Sequence, residues 1–146
     1  MKKLIFTLAV LFGAIVFNAQ EVFNGPAIEL NKEVHDYGTI ENGADGTCEF
    51  IVKNIGTEPL IISRCKGSCG CTVPTCDKTP VLPGETTVIK VKYDTKRTGT
   101  INKSVTITSN AVNEPTKVVR IKGKVLPKDT NTSPVKKTTG AVPTAK

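Results

Sequence analysis

The sequence predicts an all-β domain, and three observations carry that prediction. Four runs alternate apolar and polar residues with period two, as strands with one buried face do. Clusters of turn formers recur roughly every 8–12 residues. No stretch of the domain repeats apolar residues at a helical period. Together these fit an immunoglobulin-like antiparallel β-sandwich of about seven strands. The likeness is to the broad architecture only. The chain has no Trp, and its cysteines are not spaced as a pair across two sheets.

Residues 20–32 read as a lead-in, where Gly25-Pro26 interrupts regular structure while Ile28 and Leu30 alternate like an edge strand. The domain proper is expected over 33–126, opening with a strand at 33–40 (EVHDYGTI). The turn formers of 41–46 (ENGADG) lead to the cleanest alternation, 47–55, with Cys48, Phe50 and Val52 inward and Thr47, Glu49 and Lys53 outward. A turn at 56–59 precedes a short apolar strand at 60–63. Pro83-Gly84 marks the next turn, after which Ile89, Val91 and Tyr93 alternate with Lys90 and Lys92. Ile101, Val105 and Ile107 line the inner face of the following run. A connection at 109–115 leads to 117–125, with Val119, Ile121 and Val125 inward. Only Phe23, Tyr37, Phe50 and Tyr93 are aromatic beyond residue 19, so the core must be built from Val, Ile and Leu.

Between 60–63 and Pro83-Gly84 the composition changes character. Four of five cysteines fall within twelve residues, as Cys65, Cys69, Cys71 and Cys76. Residues two apart in a strand point the same way but lie roughly 6.6 Å apart, whereas a disulfide wants Cβ atoms near ~3.8 Å. Joining Cys69 to Cys71 therefore requires a kink, for which Gly70 is the expected residue. Such a bond would be strained and readily reduced. Two ordinary structural disulfides are the leading reading, as in small exported domains. A redox-active pair comes next, and then a soft-metal site with Cys65 or Cys76 completing the shell. Four cysteines allow three pairings that sequence does not separate; Cys65–Cys76 with Cys69–Cys71 is preferred. A bridge from Cys65 to Cys76 would contribute about 3 kcal/mol by loop entropy, out of the ~5–15 kcal/mol of a typical domain. Cys48, beside Phe50 and Val52, reads as a buried free thiol.

The ends read as processing and linker segments. Lys2 and Lys3 precede an apolar run from Leu4 to Phe17, so 1–19 is expected to be a cleaved signal peptide and too short to span a membrane. No cysteine follows the run until Cys48, so lipid attachment is not expected. Residues 127–146, rich in Pro, Thr, Lys, Ser and Gly, are expected to be a disordered tail. The net charge of +7 divides unevenly: the signal segment carries two charges and the tail three, leaving +2 for 20–126. That gives little reason to bind nucleic acid. A secreted or periplasmic location is expected.

Other chemistry finds little footing. His35 is the only histidine and is read as an exposed structural residue; Asp36 beside it points to the opposite face. No nucleophile motif, paired carboxylates or phosphate loop is present, so neither catalytic residues nor a cofactor or metal is expected. Lys90, Lys92, Lys122 and Lys124 read as a solvated sheet face, with a basic stripe for an anionic glycan or lipid headgroup as the lesser alternative.

The order of Asp36-Tyr37-Gly38-Thr39-Ile40, Phe50, Asn54-Ile55-Gly56, Pro59-Leu60-Ile61-Ile62, Ser68-Cys69-Gly70-Cys71-Thr72, Pro83-Gly84, and Gly99 followed by Ser109-Asn110 resembles the family called domain of unknown function 1573. The resemblance covers about residues 33–126. It implies secreted or envelope proteins of Bacteroidetes-type bacteria with a hydin-type immunoglobulin-like fold, and no established activity. Cys65 and Cys76 depart from the family pattern, which suggests a local staple added to the common framework. The reading that follows is an exported, non-enzymatic binding or structural module of the envelope. It would engage an envelope protein or glycan through the 65–83 loop or a sheet edge. The alternative is a thiol-based redox or soft-metal protein centred on Cys69 and Cys71.

Overall fold

A computed structural model describes residues 22–128. The expected signal peptide and nearly all of the expected tail lie outside the described residues. Eight strands follow in chain order: β1 (Ile28–Leu30), β2 (Val34–Ile40), β3 (Thr47–Asn54), β4 (Ile62–Gly67), β5 (Thr72–Thr75), β6 (Thr86–Tyr93), β7 (Gly99–Ser109) and β8 (Thr116–Val125). They form two four-stranded sheets, ordered β1-β3-β6-β5 and β2-β8-β7-β4. This is the immunoglobulin-like sandwich, with no helix among the described residues.

Alternation decides which face each strand buries. In β3, Cys48, Phe50, Val52 and Asn54 are buried while the residues between them are exposed. In β6 the inward set is Ile89, Val91 and Tyr93, and in β8 it is Val119, Ile121 and Val125. Phe50 is the largest fully buried side chain, and around it Tyr93, Cys48, Cys71 and Ala111 join a majority of Ile, Val and Leu packed between the sheets.

Three features refine the sequence expectation. Five of the six strand pairings are antiparallel, but β2 runs parallel to β8, with Val34 opposite Arg120. The cause is a change of sheet. The chain pairs β1 with β3, crosses at residues 31–33, and enters the second sheet beside β8. Secondly, the lead-in belongs to the sandwich, since Ala27 and Ile28 are buried and β1 is a full edge strand. Thirdly, the expected loop at 65–83 is partly strand: β4 continues through Cys65 to Gly67, and β5 occupies 72–75. Local polarity hid both, because Arg64, Cys65 and Lys66 lack the apolar period that marks a strand.

One buried polar residue ties several segments together. Asn54 is fully buried at the end of β3. Its Nδ2 donates to the carbonyls of Glu58 and Val81, both at 2.8 Å. Its Oδ1 accepts from the backbone N–H of Gly56 at 2.9 Å and of Ala27 at 3.4 Å. Its own N–H donates to Glu85 O, and its carbonyl accepts from Gly84 N–H. Among the described residues no buried side-chain nitrogen or oxygen lacks a partner.

Replacing Asn54 by Ala should cost about 2–4 kcal/mol, because it takes the partner from four backbone groups, those of Ala27 and Val81 in buried bonds. Asn54→Asp should not rescue it, since a carboxylate would face the carbonyls of Glu58 and Val81. Urea unfolding with an unchanged m value would measure both; a loss below about 0.5 kcal/mol would contradict the assigned role.

Candidate functional site

The cysteine segment crosses from one sheet to the other. β4 is an outer strand of the second sheet and β5 an outer strand of the first, so their connection closes one side of the sandwich. Cys65 lies on β4 and Cys76 immediately follows β5; the structure joins them by a disulfide with Cα atoms 6.3 Å apart. This bridge therefore clips two sheet edges together. Inside it, Cys69 is joined to Cys71 across a turn, with Cα atoms 5.2 Å apart.

That turn is built by ordinary backbone chemistry. Thr72 N–H donates to Cys69 O at 3.2 Å, which closes a β-turn with Gly70 and Cys71 at its centre. Ser68 N–H donates to Ser104 O at 2.8 Å, while Ser68 Oγ accepts from Ser104 N–H at 3.2 Å. On the other side, Asp94 N–H donates to Cys71 O at 2.9 Å. The turn is thus tied to β7 and to the end of β6. Gly70 does not supply the kink through special backbone freedom. Its φ is not positive, and a Cβ there would meet nothing within 4 Å. The glycine the segment needs is Gly67, where a Cβ would sit 2.0 Å from Thr72 O.

The two inner sulfurs differ in exposure. Cys71 is 4% exposed and belongs to the core, whereas Cys69 is half-buried. Thr72, itself buried, places its hydroxyl 3.6 Å from Cys69 Sγ and 3.8 Å from Cys71 Sγ. Sequence reasoning assigned Thr72 no role beyond its place in the Ser68–Thr72 string. Cys65 and Cys76 are bonded to each other, so neither is available as a third thiolate beside Cys69 and Cys71. Among the described residues no cluster of three or more His, Cys, Asp or Glu comes together.

The remaining candidates lie elsewhere. Cys48 is a buried free thiol, held protonated because burial pushes its pKa up. The Tyr37 hydroxyl faces that thiol across the core and donates to Gly46 O at 2.7 Å. His35 is not exposed but half-buried on β2, its ring edge-on to Tyr37 at 4.5 Å. Lys32 Nζ donates to His35 Nδ1 at 3.1 Å, which selects the neutral tautomer protonated on Nε2. β2 and β4 are opposite edges of one sheet, three strand spacings or about 14 Å apart, so His35 is no partner for the segment. The four lysines do not make one stripe. Lys90 and Lys92 lie on the outer face of the first sheet, Lys122 and Lys124 on that of the second. Lys90 pairs with Glu49 at 3.7 Å and Lys122 with Asp36 at 3.4 Å.

A groove of about 370 Å³ runs along the clipped edge, lined by Ile62, Arg64, Cys65, Pro74, Thr75 and Lys78 among others. Its floor is the outer disulfide, and Arg64 and Lys78 make its rim basic.

Two outcomes test this geometry. Gly67→Ala should destabilise the domain by more than about 2 kcal/mol through backbone displacement, while Gly70→Ala should stay within about 0.5 kcal/mol; equal effects would contradict the placement of the turn. His35, as the lone histidine, gives one imidazole titration. Burial and then the Lys32 charge lower its pKa below the ordinary 6.5. A lowered histidine pKa leaves the unfolded state binding more protons, so this group's stabilisation is complete above pH 6.5 and is lost on acidification. Lys32→Gln should move the midpoint upward in an NMR titration.

Comparison with known proteins locates this geometry in a family. No curated protein matches the chain. The fold resembles a protein of unknown function from Porphyromonas gingivalis W83, at a TM-score of 0.62 and 19% identity over 75% of this chain. The match spans only 51% of that protein, so this chain accounts for about half of its length. It also resembles the seventh ASH/PapD-like domain of human CEP192, at a TM-score of 0.58 and 10% identity, over 70% of this chain and 87% of that one. A part of the secreted serine protease VesC from Vibrio cholerae superposes at 0.54 with 11% identity, covering 68% of this chain and 23% of the protease. At such identities the likeness is one of fold. A family model described as protein of unknown function (DUF1573) matches residues 28–125, and the chain belongs to that family.

Proposed function

We propose that this domain is an exported, non-enzymatic binding or structural module of the cell envelope, and that it engages its partner along the β4–β5 edge. The observation that carries the reading is the groove over the Cys65–Cys76 bridge. There both sheets present an edge strand on one side, and a disulfide holds the two edges in register. A rigid groove loses little entropy when it is occupied. Outer strands also offer unpaired backbone groups to an extended ligand or to glycan hydroxyls. Arg64 and Lys78 on the rim favour an acidic protein segment or an acidic glycan.

Export is supported by the apolar N-terminal stretch and by two disulfides, which persist in oxidising compartments. Among the described residues no helix is long and apolar enough to cross a membrane. A non-enzymatic role is supported by the separation of His35 from every cysteine of the segment and by its bonding to Lys32.

A photo-crosslinking residue at Thr75 should capture one discrete envelope component, whereas the same residue at Thr116, on the outer face of β8, should not. Arg64→Glu combined with Lys78→Glu should reduce the captured yield at least ten-fold at low ionic strength. Equal capture from both positions, or capture insensitive to the charge reversal, would refute the assignment of the groove.

A further inference from the structure

We propose that Cys69–Cys71 is a thiol–disulfide exchange site that oxidises a dithiol polypeptide, with Cys69 as the sulfur attacked and Cys71 as the leaving thiolate. The exchange is stoichiometric, one dithiol oxidised per bridge without turnover, so it goes beyond the binding role and does not depend on it. Four observations carry it.

The two sulfurs are asymmetric. Cys69 is half-buried and reachable, whereas Cys71 is 4% exposed and packed in the core. An incoming thiolate can approach only the first of them. Thr72 Oγ1 stands 3.6 Å from Cys69 Sγ and 3.8 Å from Cys71 Sγ, so its hydroxyl can donate to the thiolate released at Cys71 once Cys69 is held in the mixed disulfide. A thiolate that accepts such a bond leaves more readily. Next, the inner bond joins residues two apart in sequence, while the outer joins residues eleven apart. Constraining so short a loop restricts the unfolded chain far less, so the inner bond contributes less to holding the fold. Finally, the turn survives without it. Ser68–Ser104, Thr72–Cys69 and Cys71–Asp94 backbone contacts remain, and Cys65–Cys76 still clips the segment at both ends. The nested bridges thus separate the two tasks: the outer one holds the segment while the inner one can open and close.

The step balances as follows. A substrate thiolate attacks Cys69 Sγ, a mixed disulfide forms, and the Cys69–Cys71 bond breaks with its electron pair passing to Cys71 Sγ. Thr72 donates a hydrogen bond to that thiolate, which then takes a proton from water. The substrate's second thiolate attacks the substrate sulfur of the mixed disulfide, forming the substrate disulfide and releasing Cys69 as a thiolate, which takes a second proton from water; the two protons the substrate thiols gave up to water are thereby returned. Two electrons and two protons pass in total from the dithiol to Cys69 and Cys71.

The test uses the full chain with both bridges formed, equilibrated in mixtures of reduced and oxidised glutathione, then alkylated and mapped by peptide mass. Cys69–Cys71 should be half-reduced at a ratio of reduced (squared) to oxidised glutathione at least a hundred-fold lower than Cys65–Cys76, with an unchanged circular dichroism spectrum. Glutathione should be found on Cys69 at least ten-fold more often than on Cys71, and a synthetic two-thiol peptide should be oxidised stoichiometrically. Thr72→Val should slow that oxidation three- to ten-fold. Reduction of both bridges together, loss of the fold on opening the inner one, or glutathione evenly shared between the two cysteines would overturn the proposal. Since the first three readings need no variant, a misfolded Thr72→Val leaves the decision intact.

Discussion

Asn54 is the residue on which the architecture turns. Two sheets packed face to face need polar closures at their ends, where strands stop and backbone groups lose their ladder partners. One amide, with two donors and an acceptor oxygen, meets that need for several segments at once. It reaches the lead-in at Ala27, the turn at Gly56 and Glu58, and the connection at Val81. These segments lie far apart in sequence, so the amide fixes the relation between the start of the domain, the end of β3 and the approach to β6. A hydrophobic residue of the same size would bury equally well and leave all of those groups unpaired.

The β4–β5 edge of the sandwich is closed by covalent means. β4 and β5 belong to different sheets and share no ladder, so only side chains and the intervening turn hold them together. The Cys65–Cys76 bridge supplies that link in a sandwich whose core is built mostly from modest Val and Ile side chains. The same bridge keeps the groove above it in shape and the inner turn in place below. Binding and thiol chemistry, if joined in one molecule, would thus rest on the same mechanical element.

Much of this was readable in advance, and the boundary is physical. Strands with one solvated face announce themselves by period two, so the inward sets of β3, β6, β7 and β8 follow from alternation alone. The DUF1573 resemblance carried the fold further, through strings such as Asn54-Ile55-Gly56 whose chemistry appears only in three dimensions. What alternation does not encode is partner choice. Nothing local in residues 34–40 states that they lie parallel to 120–125. Nor does polarity flag an edge strand such as β4, whose Arg64 and Lys66 face water. At the site, the crowding of cysteines was evident, but the neighbours that give them character were not. Thr72 lies next to Cys71 in sequence, yet its hydroxyl matters only because the turn folds it back onto both sulfurs. Gly70 drew the eye as the residue between two cysteines, while the backbone demanded a glycine at Gly67.

The parallel pairing of β2 with β8 has a consequence for the order in which the molecule can assemble. Val34 and Arg120 stand opposite each other although nearly the whole domain separates them along the chain. No intermediate length of polypeptide can complete the second sheet, because its first strand waits for its last. A chain of this topology stays open while it is being made and closes late, over the milliseconds to seconds common for sandwiches rich in non-local contacts. Under the export proposed above, such lateness would keep the chain open during its passage.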